Sequence, residues 1–217
     1  MERFARFLRD YEEANVIGTR ELRGVVLDHV LDALGCFLFE PLRAARSLVD
    51  VGSGGGLPGL PIKIAEPELR VTLVEATAKK ARFLCRAAED LALEDVAVEN
   101  ARVEEIARTE AHRGVYDVAT ARAVARLPVV AEYCVPLLRV GGHGISMKGR
   151  LEDEELYEGE RAAEKLGARV SDLIRVPRLP ELEEKERCLM ILEKVEETPG
   201  EYPRKVGVPA KKPLGVV

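Results

Sequence analysis

The segment Asp50-Val51-Gly52-Ser53-Gly54-Gly55-Gly56 puts an acid and four glycines directly behind a short apolar run. Glycine has no Cβ, so the backbone of such a turn can approach a ligand closely. In an open α/β sheet the turn sits at the carboxyl end of its strand, in the crevice where ligands bind. Glu75 stands at the end of the next apolar run, about 20 residues further on, where a carboxylate can accept both hydroxyls of a ribose. Taken singly, the glycines could merely turn the chain and Glu75 could be a solvated strand-end acid. Together they read as a site for a cofactor that contains adenosine.

Two cofactor classes contain that nucleoside, the nicotinamide dinucleotides and S-adenosylmethionine. Gly54-x-Gly56-x-x-Gly59 formally meets the dinucleotide pattern, so the glycines alone do not separate them. Three details favour the sulfonium cofactor. Asp50 lies two residues before the first glycine, a poor neighbour for a pyrophosphate and a tolerable or useful one for a cationic amino acid. Pro58 and Pro61 shorten and distort the helix whose amino-terminal N–H groups would hold a pyrophosphate. Asp117 opens the fourth strand directly, with no second nucleotide-binding half. A P-loop is excluded because no Gly-Lys-Ser/Thr is present. Val103-Glu104, after the third strand, would lie beside adenine, although an acidic helix start favoured by the dipole is an equal alternative.

Other side chains suggest the acceptor side. Arg122 ends the fourth strand, where it can pair with a carboxylate, hold a phosphate or read a guanine edge. Lys148 ends the fifth and is a similar candidate for phosphate. Arg204, Lys205, Lys211 and Lys212 gather four cations in a Pro-rich tail that can lie along an RNA backbone and order on contact. The acidic runs 152–155 and 181–186 should face away from RNA, because like charge repels phosphate. His29 and Asp32 share one helix face and could bond each other. With His112 and His143, however, they form no acid–base constellation.

These residues need a scaffold of alternating strands and helices. Strands are expected at 47–51, 70–75, 96–100, 116–121 and 144–148, with helices at 60–65, 79–91, 103–109 and 129–138 between them. Gly141-Gly142 should end the helix at 129–138. An acidic helix over 152–166, closed by Gly167, leads to two last strands at 169–176 and 187–195, joined as an antiparallel hairpin by the loop 177–185. Such alternation implies a doubly wound, mostly parallel α/β sheet covered on both faces. Three divisions are expected: a helical cap over 1–46, the sheet domain over 47–198 and the basic tail over 199–217.

Composition sets outer bounds. Of 217 residues, 47% are hydrophobic and 33% charged, which suits a soluble globular chain rather than a disordered one. No apolar run reaches the ~20 residues needed to cross a bilayer, and the start is no signal peptide. Cys36, Cys85, Cys134 and Cys188 show no metal or redox spacing and read as reduced core thiols of a cytoplasmic protein. The net charge of −5 argues mildly against a nucleic-acid partner, so a basic surface would have to be local.

Val51-Gly-Ser-Gly-Gly-Gly-Leu-Pro-Gly-Leu-Pro-Ile62 is more specific than any generic glycine motif. It resembles the rRNA small subunit methyltransferase G family, also called glucose-inhibited division protein B. His29-Val-Leu-Asp32, Lys79-Lys80-x-x-Phe83-Leu84, Arg102-Val103-Glu104-Glu105, Arg122-Ala-Val-Ala125, Lys148-Gly149 and the tail from Tyr202 to Pro213 are similar to it in the same order. The longer N-terminal helical region and Trp-Asn pair usual in that family have no counterpart before Asn15, and this chain has no Trp. The resemblance implies a Rossmann-like, seven-stranded class I methyltransferase. It would move a methyl group from S-adenosylmethionine to N7 of a guanine in 16S rRNA, releasing S-adenosylhomocysteine. It also implies that Gly52 and Leu57 belong to the cofactor loop, Glu75, Ala76 and Thr77 to the ribose segment, Val103 and Glu104 to the adenine side, and Arg122 to the site lining. We expect no metal, no membrane and a monomer whose partner is 16S rRNA or the small subunit. The competing readings are a methyltransferase acting on another RNA, a protein or a small molecule, and a nicotinamide-dependent oxidoreductase.

Overall fold

The computed structural model describes residues 1–18, 21–177 and 186–216. The chain opens with α1 (Glu2–Asp10), then α2 (Leu22–Gly24), which runs through a π-helical stretch (Val25–Leu31) into α3 (Asp32–Leu34). After two 3₁₀ turns come β1 (Ser47–Val51), α4 (Gly59–Ala65), β2 (Arg70–Val74), α5 (Ala78–Asp90), β3 (Val96–Glu99), α6 (Val103–Ile106) and β4 (Tyr116–Arg122). The second half contains α7 (Leu127–Cys134), β5 (Leu138–Lys148), α8 (Asp153–Lys165), β6 (Ala168–Arg175), β7 (Cys188–Lys194) and α9 (Val208–Lys211). The strands form one sheet in the order β3-β2-β1-β4-β5-β7-β6. Pairing is parallel from β3 to β5, and β7 runs antiparallel between β5 and β6. This is the doubly wound sheet with a terminal hairpin that the strand–helix alternation predicts. Residues 178–185 of the loop expected at 177–185 lie outside the described residues.

One local expectation is corrected. Gly141-Gly142 do not end a helix; they lie inside β5, which starts at Leu138. α7 already stops at Cys134, and a 3₁₀ turn over Val135–Leu137 follows it. A Cβ at Gly142 would stand 2.9 Å from the carbonyl oxygens of both Arg139 and Tyr116. The glycine is therefore needed where β5 slips register against β4, between Tyr116 and Val118.

Period-two alternation sends strand side chains to two separate cores. Leu48, Val118, Ile145 and Met147 pack on one face with Phe4, Leu8, Val25, Leu60, Leu73 and Phe83, so the N-terminal helices are continuous with the core over α4 and α5. Val49, Ala119 and Ala121 face the opposite way, toward Val130, Cys134 and Ile106. All four cysteines are free, but Cys85 is exposed on α5, which corrects the expectation of four core thiols.

Asp50 faces the first of these cores and is 0% exposed. Its Oδ1 accepts from Thr120 Oγ1 at 2.8 Å and its Oδ2 from the Gly59 N–H at 3.2 Å, while its carbonyl accepts from Ser53 Oγ at 2.8 Å. One side chain thus joins the ends of β1 and β4 to the start of α4. Only glycine fits at position 59, because a Cβ there would lie 2.9 Å from Asp50 Oδ2 and 2.6 Å from Leu73 Cδ2. Burial pushes the Asp50 carboxyl up from 3.8 to about 6, opposed by the bonds from Thr120, Gly59 and Ser53.

The C-terminal segment is packed, not loose. Leu214 joins a small core with Ala131, Ala162 and Leu166. Arg204 clasps Glu132, itself fully buried, with Nε at 2.9 Å from Oε1 and Nη2 at 2.5 Å from Oε2. Arg113 donates to the carbonyls of Thr198 and Tyr202, each at 2.7 Å. The expectation of a tail that orders only on contact is therefore corrected: the backbone needs these partners to satisfy its carbonyls, and the protein supplies them.

Arg204→Ala leaves Glu132 buried without its cation and should cost about 3–5 kcal/mol in denaturant unfolding. Adding Glu132→Leu should recover most of that loss; a single-variant loss below about 1 kcal/mol would exclude the clasp as a structural element. Asp50 titrates higher when folded than when unfolded, so the native state holds the extra proton and stability falls as pH rises from about 4 through about 6. Asp50→Asn accepts from the Gly59 N–H through its carbonyl and donates its NH2 to the Thr120 hydroxyl, which can turn to accept, and it removes that fall, on the order of 2–3 kcal/mol. Melting curves across pH 4–8 should show the variant gaining on the wild type as pH rises, and parallel curves would contradict it.

Candidate active site

The glycine turn hangs from the sheet by its first two amides. Gly52 N–H and Ser53 N–H both donate to the Val74 carbonyl, at 2.9 and 3.0 Å. Gly56 has φ +78°, and a Cβ there would fall 2.3 Å from Leu60 Cδ1, so the turn tolerates no side chain at that position. The carboxylate of Glu75 closes the turn: Oε2 accepts from Gly54 N–H at 3.0 Å and Oε1 from Thr77 N–H at 2.7 Å. Asn100 Nδ2 donates to the Glu75 carbonyl at 2.8 Å, tying the ends of β2 and β3 together. Gly52, Gly54, Gly56, Leu57, Glu75, Ala76 and Thr77 therefore stand together at the carboxyl ends of β1 and β2. On one side the Val16 carbonyl of the N-terminal segment lies 2.9 Å from where a Gly55 Cβ would be. On the other, Val124 Cγ2 lies 2.9 Å from the equivalent point on Gly52.

Two expected cofactor contacts are placed elsewhere. Asp50 is fully buried beneath the turn, its two oxygens bonded to Thr120 and Gly59, so it presents no face to the solvent. Glu104 is buried as well, with Oε1 accepting from Gly207 N–H at 2.9 Å and the carboxylate bonded to the Tyr133 hydroxyl. Burial and that negative neighbour push the Tyr133 phenol up to about 12. Glu104 thus anchors the C-terminal segment to α6, and Val103 is buried next to it.

Beyond Val124 a cleft of about 980 Å³ opens at the ends of β4 and β5 and the start of β7, its walls including Asp32, Arg122, Val124, Ser146, Lys148 and Arg187. The cleft lies beside the glycine turn rather than over it, with Val124 on the boundary. Arg122 reaches out of β4 to the π-helical stretch. Its Nη1 is 3.2 Å from Asp32 Oδ2 and 3.1 Å from the His29 carbonyl, and its Nη2 is 2.7 Å from His29 Nδ1. A guanidinium can only donate, so His29 Nδ1 accepts and the neutral ring carries its proton on Nε2. His29 and Asp32 both meet Arg122. Burial pushes the Asp32 carboxyl up, against the lowering effect of Arg122 and Arg187.

Lys148 donates to Glu155 Oε1 at 2.7 Å and to the Ala125 carbonyl at 2.6 Å. Glu155 is therefore turned into the protein by its pair with Lys148. Its carboxyl is held below the usual range by the bond from Lys148 and the Leu127 N–H, against the effect of burial. Of the predicted RNA-facing tail cations, Arg204 is withdrawn into its pair with Glu132, while Lys205, Lys211 and Lys212 are exposed.

Sequence reasoning missed Arg187, whose Nε lies 2.8 Å from Asp32 Oδ1. It precedes β7, at the point where Cys188 pairs with Lys148, so only the antiparallel register brings it to the cleft. It also missed Ser146, whose buried Oγ has no hydrogen-bond partner among the described residues and which lines the same cleft. Among the described residues no group of three or more His, Cys, Asp or Glu is arranged to hold a metal ion.

Comparison with known proteins agrees with this architecture. The family described as rRNA small subunit methyltransferase G, GidB, matches residues 1–184. A protein of Rubrobacter xylanophilus named ribosomal RNA small subunit methyltransferase G is 63% identical over 215 residues, spanning 99% of this chain and 82% of its own. One of the same name from a Roseiflexus species is 45% identical over 218 residues, spanning 99% and 92%. Among solved structures, a geranyl diphosphate methyltransferase in complex with S-adenosylmethionine gives a TM-score of 0.59 at 16% identity, over 82% of this chain and 92% of its own. The antibiotic-resistance methyltransferase Kmr gives 0.57 at 20%, over 74% and 92%. At such identities the likeness is one of fold, the Rossmann-like fold of class I methyltransferases. Matched over most of its length and closely related to named members, the chain belongs to the rRNA small subunit methyltransferase G family.

Proposed function

We propose that this protein transfers a methyl group from S-adenosylmethionine to N7 of a guanine in 16S rRNA, releasing S-adenosylhomocysteine and using no metal. The observation that carries the reading is the glycine turn closed by Glu75 standing next to the cleft that holds Arg122 and Lys148, in a chain of this family. The cofactor fits the residues present. A carboxylate offers about four acceptor positions. Glu75 uses two of them on Gly54 and Thr77, which leaves two for ribose hydroxyls. Gly52, Gly54 and Gly56 line the amino-acid end, Leu57, Ala76 and Thr77 flank the ribose, and Val103 borders adenine. Asp50 acts from below: with its pKa near 6 it is ionised at neutral pH and sets a negative field under a cationic ligand.

When bound, the cofactor supplies an electrophilic methyl group on a sulfonium. Guanine N7 carries a lone pair and no proton, so the protein needs no general base and its task is to hold and align the acceptor. Arg122 and Lys148 stand where they can meet the guanine O6 edge or an adjoining phosphate, each held by a carboxylate. Lys205, Lys211 and Lys212 give the C-terminal segment, residues 199–217, an exposed basic edge for the RNA backbone. Residues 1–46 serve as a cap on the methyltransferase domain of residues 47–198. The protein acts as a monomer in the cytoplasm; among the described residues no helix is long and apolar enough to cross a membrane.

Calorimetry should show Glu75→Ala weakening S-adenosylmethionine binding at least about tenfold, the loss of charge-assisted hydrogen bonds worth about 1.5–3 kcal/mol each. Wild-type affinity in that variant would remove Glu75 from the ribose. Incubating the protein with methyl-labelled cofactor and small-subunit RNA from a strain lacking this modification should yield N7-methylguanine by mass spectrometry. Label on another atom, or no label on the RNA, would overturn the assignment.

A further inference from the structure

The acceptor cleft does not end at Lys148. A second groove of about 500 Å³ continues from it between the ends of β5 and β6 and the start of β7. The two share Gly149, Arg150, Val176, Glu186, Arg187 and Cys188 as common wall. The outer groove adds Arg175, Leu151 and Leu173 to its lining. Its cations differ in kind from those further in. Arg122 and Lys148 are each less than a fifth exposed and are bonded to carboxylates and carbonyls, and Arg187 is fixed on Asp32. Arg150 and Arg175 are exposed at the rim. Arg187 is already engaged by Asp28 and Asp32, so the exposed cations of the groove are Arg150 and Arg175, and among the described residues of its wall they face one carboxylate, Glu186, the last residue of the acidic run 181–186.

A guanine must leave its stack for N7 to enter a cleft at the strand ends, and the strand on either side of it must then run along the surface. Phosphates carry the electrostatic part of that contact, while aliphatic side chains and guanidinium planes lie against ribose and base. We propose that the groove of Arg150, Arg175 and Arg187 is the track for the single-stranded RNA flanking the acceptor guanine. Arg150 and Arg175 each meet a phosphate, and Leu151, Leu173 and Val176 lie beneath the adjoining nucleotide. Arg187, held by Asp32, forms the junction between track and cleft. The inference rests on the RNA acceptor proposed above and extends that site outward.

The test uses the full chain with small-subunit RNA lacking the modification. Arg150→Ala/Arg175→Ala should raise KM for the RNA about tenfold, with kcat and S-adenosylmethionine affinity unchanged. Two lost single-strand phosphate contacts should also flatten the slope of log binding constant against log salt by about 1.4. Arg150→Lys/Arg175→Lys should keep the slope. Arg43→Ala, just ahead of β1 and so at the amino end of the strands, should match the wild type. An unchanged slope and KM in the double alanine variant, or an equal change in Arg43→Ala, would overturn the track while leaving the methyltransferase reading intact. If the wild-type protein transfers no methyl group to the RNA, that reading falls and the track with it.

Discussion

The arrangement depends on one buried carboxylate. Asp50 is removed from water at the centre of the sheet, where a charge is tolerated only if its oxygens are bonded. Thr120 and the Gly59 N–H supply those bonds. Because Asp50 is the last residue but one of β1, its two partners tie the carboxyl-end halves of β1 and β4 to the start of α4, and the chain between Asp50 and Gly59 is obliged to make the glycine turn. Glu75 then binds that turn from β2. The turn is thus held from below by Asp50 and from the side by Glu75.

The same rule governs the cations. A chain with net charge −5 can still present a basic surface, but the arginines and lysines nearest the strand ends are engaged first by the protein's own acids. Lys148 is held by Glu155, Arg122 and Arg187 by Asp32, and Arg204 by Glu132. Such pairs orient guanidinium and ammonium groups and lower their mobility, which favours alignment of an acceptor over raw attraction. The π-helical stretch contributes here. Its carbonyls at Asp28 and His29 face Arg122, so the N-terminal helices cover the sheet and also position a residue of β4.

Much of this was legible in the linear chain. The alternation of β-rich runs and amphipathic helices determined a parallel sheet closed by a hairpin, and strand limits agree to within a residue or two except at β5, which starts well before Gly144. The glycine turn, its acid and Glu75 were expected to stand together at the carboxyl ends of their strands, and they do, because turns at that edge of a parallel sheet are a consequence of topology alone. The motif around Leu57-Pro58-Gly59-Leu60-Pro61 carried the family, which the comparisons then showed.

What the sequence by itself determined, then, is which residues stand at the strand ends and which chemical classes they belong to. Tertiary structure alone decided which of those groups are turned to the solvent and which are consumed within the protein. Asp50, Glu104 and Arg204 have the residue types of ligand contacts, yet each is bonded inside by Thr120, Gly207 or Glu132 from a distant part of the chain. Arg187 carries no local signal and reaches the cleft only through the antiparallel pairing of β7 with β5. The reason is physical. Periodicity and turn chemistry act over a few residues, whereas a buried charge is satisfied by whatever partner the fold brings within about 3 Å.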